Sequence, residues 1–123
     1  AYQEYNTVFR LAEQYLIRAE ARCQQNNLAG AINDINIIRN RAGLISISAP
    51  LSIDEIASEI LLQRRCEFFA EWGHRWLDLK RLKIAETELT KNKDHAVTKE
   101  ALLYPIPVAD LLANPNLDQN SGY

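Results

Sequence analysis

The chain has 123 residues, 47% of them hydrophobic and 24% charged, and its 14 basic and 16 acidic side chains leave a formal charge of −2. This composition is typical of a globular domain with one hydrophobic core, and it excludes an intrinsically disordered chain, which combines low hydrophobicity with high net charge. Without a large basic excess the chain is not expected to bind nucleic acid, and no apolar run approaches the roughly 18 residues of a membrane-spanning helix.

The first residues show no leader of the signal-peptide kind, and the chain contains no methionine. We therefore expect residues 1–123 to be a fragment of a longer protein, separated from any segment that specifies a cellular address. Within that longer protein they are expected to form a single domain.

The first third of the chain predicts two helices joined by a short turn. Apolar residues recur with helical spacing over residues 7–26, with charged side chains between them. A second helix is predicted over residues 28–42, because cations and then Gly43 mark its end. The connection at Asn26 and Asn27 is very short, so the helices should pack antiparallel as a hairpin of about 34 residues, the size of one tetratricopeptide repeat.

A third helix is predicted to begin with a capping box formed by Ser52 and Glu55. Its apolar residues first follow one stripe and then surround the helix, which predicts burial on more than one side. Gly73 marks a possible break, after which residues 74–81 continue helically. The apolar residues off the stripe are Leu62, Cys66, Phe69 and Trp72.

The last part of the chain predicts less regular structure. Residues 86–100 are polar and predict a surface loop. Two prolines within residues 103–107 favour an extended backbone, since each disfavours the helical region for the residue before it. A single helical turn is predicted over residues 108–113, followed by an irregular end that carries apolar anchors.

No metal or cofactor site is predicted. Cys23 and Cys66 match no metal or redox spacing, and we interpret both as buried free thiols rather than as a disulfide. The pair Glu71 and His74 has the spacing used in di-iron bundles, which require a second such pair and two further glutamates. The only other histidine, His95, lies in the polar loop.

The densest group of charged residues lies in and after the third helix. Glu67, Glu71 and Arg75 would share one helical face if the helix continues through Gly73. Arginines beside a carboxylate keep it ionised, which disfavours general acid–base catalysis here. We interpret the group as a structural ion-pair network and do not expect an enzyme. Its members are Arg64, Glu67, Glu71, Arg75, Asp78 and Arg81.

Trp72 and Trp76 are the candidate aromatic platform for a sugar ring, because the apolar C–H faces of sugars stack on aromatic rings. They are four residues apart and adjoin Phe68, Phe69 and Leu79 in a region expected to be buried. We therefore favour core packing for both tryptophans.

Three motifs in a fixed order cover nearly all of the chain. The first is the hairpin, which contains LIRAEA at 16–21 and AINDIN at 31–36. The second is a signature helix over residues 67–81, EFFAEWGHRWLDLKR. The third is a terminal motif formed by residues 103–107 and then 114–123. Together these motifs resemble the SusD/RagB family of outer-membrane nutrient-binding lipoproteins. The hairpin is similar to the last tetratricopeptide-like repeat of that family.

The resemblance implies an all-α fold, made of a tetratricopeptide-like hairpin, a long signature helix and an ordered irregular C-terminal tail. Residues 1–123 would be the C-terminal domain of a much larger, non-catalytic protein. Such proteins bind glycans or oligosaccharides at the cell surface and deliver them to a SusC-like TonB-dependent transporter.

The resemblance also implies an outer-membrane location, with the membrane reached only through a lipid anchor on an N-terminal cysteine that this fragment lacks. The ligand aromatics of the family lie in variable loops largely outside this segment, so no ligand-binding residue is assigned. The repeat-like hairpin supports an alternative function, a helical scaffold or protein-interaction module without sugar binding.

Overall fold

A computed structural model describes residues 8–91 and 97–123, and the regular elements in these ranges are helical, without strands. The all-α prediction is confirmed, and none of these helices is both long and apolar enough to cross a bilayer. The chain divides into two compact units, residues 1–75 and 76–123. The helices are α1 (Leu11–Gln24), α2 (Leu28–Arg41), α3 (Ile53–Glu67), α4 (His74–Arg81), α5 (Ala85–Thr90) and α6 (Val108–Ala113), with a 3-10 turn at Glu100–Leu102.

The predicted hairpin is present as α1 and α2. Asn26, with a φ of 60°, turns the chain, and the Asn27 side chain caps α2 by accepting a hydrogen bond from the Gly30 N–H at 3.0 Å. The first helix begins at Leu11 rather than at residue 7; residues 8–10 are not helical, and residue 7 lies outside the described residues. At the other end Gly43 has a φ of 75°, as predicted for a residue that terminates a helix.

The core of the first unit lies where α1, α2 and α3 meet. Small side chains on the facing sides of α1 and α2 allow the two helices to approach closely. The apolar stripe predicted for the first helix is buried only from Ala12 onward, and Val8 and Leu11 are exposed. One cluster comprises Ala19, Cys23, Ala31, Ile35, Ile56 and Ile60. The second comprises Ala12, Leu16, Ile38 and Phe68.

The predicted capping box begins α3. The backbone N–H of Ser52 donates to Glu55 Oε2 at 2.8 Å, and the Glu55 N–H donates to Ser52 Oγ at 3.3 Å. The bond from the Ser52 N–H, followed by the bond from its hydroxyl, lowers the pKa of Glu55. Leu51 packs beside this start against the cluster that contains Ile56, so the local signal and the tertiary packing agree.

The end of α3 differs from the prediction. The helix stops at Glu67, and the next residues form a loop in which Ala70 and Trp72 have φ values of 59° and 44°. The predicted burial on several sides is also wrong, because only one face of α3 packs against α1 and α2. The off-stripe residues are all exposed: Leu62, Cys66, Phe69 and Trp72.

Both cysteines are free, as predicted. Cys23 is buried in the core, where burial is the main cause that raises the pKa of its thiol, and its Sγ lies 3.6 Å from the carbonyl oxygen of Ile53. Cys66 is exposed, so its predicted burial is wrong. It projects from the face of α3 that no other helix of the first unit covers.

The second unit contains α5 where the sequence predicted a loop over residues 86–100. Ala85, at the start of this helix, and Val97, after it, are both buried, and the Val97 N–H donates to Thr90 Oγ1 at 3.0 Å. Residues 92–96, including His95 of the predicted loop, lie outside the described residues.

The C-terminal tail is held by side chains that bond to the backbone of the extended segment before α6. The side-chain amide of Gln119 accepts from the Ile106 N–H at 2.8 Å and donates to the Ile106 carbonyl oxygen at 3.0 Å. The hydroxyl of Tyr123 donates to the Leu103 carbonyl oxygen at 2.8 Å. The extended segment and the turn at residues 108–113 are therefore present as predicted, and the irregular tail is ordered by specific bonds.

Candidate functional site

Glu67, at the end of α3, is the centre of an ion-pair cluster in the first unit. Both of its carboxylate oxygens accept from arginine, one from Arg10 and the other from Arg41. Arg10 also donates to the backbone oxygen of Glu67 at 2.9 Å and to Glu71 Oε1 at 2.7 Å. Because Arg10 precedes α1 and Arg41 ends α2, this one carboxylate joins the ends of three helices.

The ion-pair network predicted from the sequence has a different geometry in the structure. Glu67, Glu71 and Arg75 do not share a helical face, because α3 ends at Glu67 and α4 begins only at His74. Glu71 reaches the cluster from the loop instead, through Arg10.

The other members of the predicted network lie as follows. Arg64 is buried, with its guanidinium carbon 5.4 Å from the centre of the Phe68 ring. In the second unit Asp78 is buried and accepts from Arg81 Nε at 3.0 Å. Arg75 is half-buried near the start of α4. A structural role for the six residues stays a prediction.

Arg10 and Arg41 were missed by sequence reasoning. Arg10 is one of the charged side chains between the apolar residues of the first predicted helix, and Arg41 is one of the cations at the end of the second. Their partners in Glu67 and Glu71 lie 26 or more positions away along the chain. Helical periodicity does not report such distant pairs, so the sequence contained no signal for them.

Phe68 supplies an apolar contact surface beside this cluster. The Arg10 guanidinium is 5.5 Å from the centre of its ring, and the His74 ring is 4.7 Å away at an interplanar angle of 33°. His74 Nδ1 lies 3.8 Å from Glu13 Oε1. Throughout residues 8–91 and 97–123, no three side chains of the metal-binding types converge on one point.

A second buried charge lies inside the hairpin. Asp34 is 1% exposed and accepts from Arg18 at 2.7 and 3.0 Å and from Arg22 at 2.8 Å. The bond with Asp34 is the main cause that raises the pKa of Arg18. The sequence held a usable signal, because Asp34 lies three positions after Ala31 and four before Ile38, beside the apolar stripe of α2.

A third charged contact links α2 and α3. Arg39 Nη1 donates to Glu59 Oε1 at 2.6 Å, and the side chain of Gln63 donates to the same oxygen at 2.9 Å. Arg39 also donates to the Ile45 carbonyl oxygen at 3.0 and 3.1 Å, which orders the connector after α2. The ion pairs of Glu67, Asp34 and Glu59 thus each join separate elements, which suits these side chains to holding a fold together.

The two tryptophans have different environments. Trp72 is 66% exposed, so its predicted core packing is wrong; the left-handed residues of the loop after α3 turn it away from the core. Trp76 is half-buried, with its ring edge-on to Tyr104 at 6.4 Å and Lys80 Nζ 5.4 Å from its centre.

The SusD family model matches residues 1–123. The chain belongs to the SusD family. It is 36% identical to the starch-binding protein SusD of Bacteroides thetaiotaomicron and 32% identical to the SusD-like protein P38 of Formosa agariphila, with 94% of the chain aligned in each case. The chain spans only 21% and 24% of the lengths of these two SusD relatives.

Solved SusD structures agree with this assignment. A SusD-like protein from Bacteroides fragilis superposes with a TM-score of 0.72 at 26% identity, covering 91% of this chain and 25% of that one. A SusD superfamily protein from Parabacteroides distasonis superposes with a TM-score of 0.70 at 28% identity, covering 95% of this chain and 27% of that one. The resemblance seen in the sequence motifs is confirmed, together with the helical fold.

Two conservative substitutions in the Glu67 cluster should differ in their effect on stability. Glu67→Gln should lower the free energy of unfolding by about 1–3 kcal/mol, because its side chain is 9% exposed and it accepts from two arginines. Glu71→Gln should lower it by only about 0.5–1 kcal/mol, because Glu71 is 38% exposed and its pair with Arg10 is screened by water. Urea unfolding of both variants tests this order, and an equal or larger loss for Glu71→Gln would contradict it.

Proposed function

We propose that these residues form the C-terminal domain of a larger, non-catalytic protein that binds glycans or oligosaccharides at the cell surface. The observation that carries the proposal is the SusD family match over residues 1–123. It is supported by the 36% identity to a relative whose name describes it as starch-binding. The SusD family is a family of carbohydrate-binding proteins and not of enzymes, and the charged clusters suit a structural role.

The bound glycan would be delivered to a SusC-like TonB-dependent transporter. SusD family members in general are outer-membrane, cell-surface proteins that work with such transporters. Because the chain spans about a quarter of the length of its relatives, the lipid anchor and most of the ligand-binding surface would lie in other parts of the full-length protein.

The described residues would contribute a rigid support to that protein. Glu67 joins the ends of α1, α2 and α3, and Asp34 and Glu59 add links within the same three-helix core. We propose that the predicted network acts in this way and does not touch ligand. Its residues are Arg64, Glu67, Glu71, Arg75, Asp78 and Arg81.

The proposal is tested by titrating the full-length protein with a panel of soluble oligosaccharides, neutral and anionic, and by isolating it from outer membranes with its partners. We expect at least one oligosaccharide to bind and a TonB-dependent transporter to co-purify. Glu71→Gln is the matched control, since it should keep the affinity of the parent protein. Absence of binding to every oligosaccharide, together with absence of a transporter, would overturn the proposal.

Other outcomes of the same experiment point to other roles. Recovery of protein partners without an outer-membrane transporter would favour the scaffold alternative suggested by the helical hairpin. Lost affinity in Glu71→Gln at unchanged melting temperature would place Glu71 in the ligand site and contradict its structural role.

A further inference from the structure

A concave surface in the second unit combines cationic side chains with apolar walls. Three lysines line this cavity of about 390 Å³, namely Lys80, Lys83 and Lys99. Its apolar walls are formed by Ala85, Leu102 and Leu103, and Glu86 is the single acidic residue that lines it. Apolar walls with a few placed polar groups are the usual composition of a small-ligand site.

The positive charge that lines the cavity exceeds the negative charge, because three lysines accompany one glutamate. Within residues 8–91 and 97–123, no carboxylate forms an ion pair with any of the three lysines, whereas Lys91 of the same unit pairs with Glu88 at 2.5 Å. Hydrogen bonds to its own backbone and to Thr98 and, less, the charge of the adjoining Lys99 lower the pKa of Glu100, but Glu100 does not line the cavity. Three ammonium groups around one cavity, with no ion-pair partner among the described residues, produce a local positive potential that attracts anions, although the whole chain has a formal charge of −2.

Two of the lysines are held in place by the fold. Lys80 Nζ lies 5.4 Å from the centre of the Trp76 ring. Lys83 follows α4 with a φ of 58°, and its N–H donates to the Lys80 carbonyl oxygen at 3.0 Å. Glycine is the usual residue at such a left-handed helix end, so a lysine there introduces backbone strain. Strain of this kind is typical of functional positions.

We propose that this cavity binds an anionic saccharide unit, a sugar ring that carries a carboxylate or sulfate group. The anion would contact the three ammonium groups, and the apolar C–H face of the ring would pack on Leu102 and Leu103. Glu86 can accept hydrogen bonds from the ring hydroxyls. The inference rests on the proposed function and names a charged class of ligand within it.

Matched ligands test the charge directly. The full-length protein is titrated with an oligogalacturonide, with its methyl ester, which has the same rings without the charge, and with a sulfated galactan oligosaccharide. We expect at least one anionic oligosaccharide to bind about tenfold more tightly than the methyl ester, with an advantage that falls as salt is raised. The anion that binds identifies the acidic group. Equal affinities for the two anionic oligosaccharides and the ester would overturn the site.

Substitutions of the three cavity lysines test whether the anionic oligosaccharide binds in this cavity. We expect the affinity for the anionic oligosaccharide to fall about two- to fivefold, the range of a partly exposed charge pair, in each of the variants Lys80→Gln, Lys83→Gln and Lys99→Gln. Lys91→Gln, which removes a lysine outside the cavity, should leave this affinity unchanged. Unchanged affinity in all three cavity variants would show that the anion binds elsewhere and would overturn the proposal.

The variant Lys83→Gly distinguishes the contribution of Lys83 to ligand binding from its effect on stability. Glycine relieves the left-handed backbone, so the melting temperature should rise while the affinity for the anion falls as in Lys83→Gln. A variant that kept its affinity would remove Lys83 from the site. Binding to anionic phosphatidylglycerol vesicles in place of the saccharides would also overturn the proposal.

The failure of this site is distinguishable from the failure of the proposed function. Binding of neutral oligosaccharides from the panel, without tighter binding of either anionic one, overturns the site and leaves the proposed function in place. Absence of binding to neutral and anionic oligosaccharides alike overturns the site, and it overturns the proposed function as well when no transporter co-purifies.

Discussion

Ile56→Ala is expected to lower the free energy of unfolding by about 2–5 kcal/mol, the range for truncation of a fully buried aliphatic side chain. Ile56 is 0% exposed and belongs to the cluster in which α1, α2 and α3 all meet. Its removal leaves a cavity that three packed helices cannot fill without moving, so the transfer and cavity losses add. Urea unfolding measures the loss through the shift of the midpoint.

Leu62→Ala on the same helix is the matched control. Leu62 is 48% exposed on the side of α3 that no helix of the first unit covers, so the substitution should change stability by less than about 0.5 kcal/mol. The contrast tests the finding that α3 is buried along a single stripe. Similar losses for the two variants would mean that its outer face is also covered.

The charges inside the hairpin should respond asymmetrically to substitution. The double variant Arg18→Ala/Arg22→Ala should lower the free energy of unfolding by about 3–5 kcal/mol, because it leaves the carboxylate of Asp34 buried and unpaired. Asp34→Ala should lower it by less, about 1–3 kcal/mol. The side chains of Arg18 and Arg22 are 51% and 32% exposed, so each can return to water when Asp34 is removed.

A triple variant makes the asymmetry a sharper test. Adding Asp34→Ala to the double arginine variant should recover stability, because it removes the unpaired buried charge that the double variant creates. Urea unfolding of the double and triple variants at neutral pH measures the difference. A triple variant less stable than the double variant would show that Asp34 stabilises the hairpin by other means, and it would contradict this account.

The aromatic side chains after α3 show a limit of sequence reasoning. Phe68, Phe69 and Trp72 are all large and apolar. Phe68 lies on the predicted stripe, and Phe69 and Trp72 are two of the off-stripe residues that predicted burial on several sides. The structure buries Phe68 and leaves Phe69 and Trp72 exposed, at 81% and 66%. A large apolar side chain favours burial, but the direction in which it points depends on backbone angles such as the left-handed φ of Ala70.

The charged residues show the same limit in another form. The sequence identified Glu67 and Glu71 as parts of an ion-pair network and then placed them on one helical face, which is the only contact that residue spacing describes. The partner that they share is Arg10, 57 and 61 positions away. The three helices bring these residues together, and the sequence pattern of one helix contains no information on that meeting.

The sequence by itself determined the features that depend on neighbouring residues. It predicted the α1–α2 hairpin, the capping box of Ser52 and Glu55 and the turn at residues 108–113, because helical period, caps and prolines act within a few positions. Its motifs also predicted the family. Only the tertiary structure decided which face of α3 is covered, that Arg10 and Arg41 meet at Glu67, and that three lysines surround one cavity. These features depend on how distant segments pack, and packing is set by the whole fold and not by any local pattern.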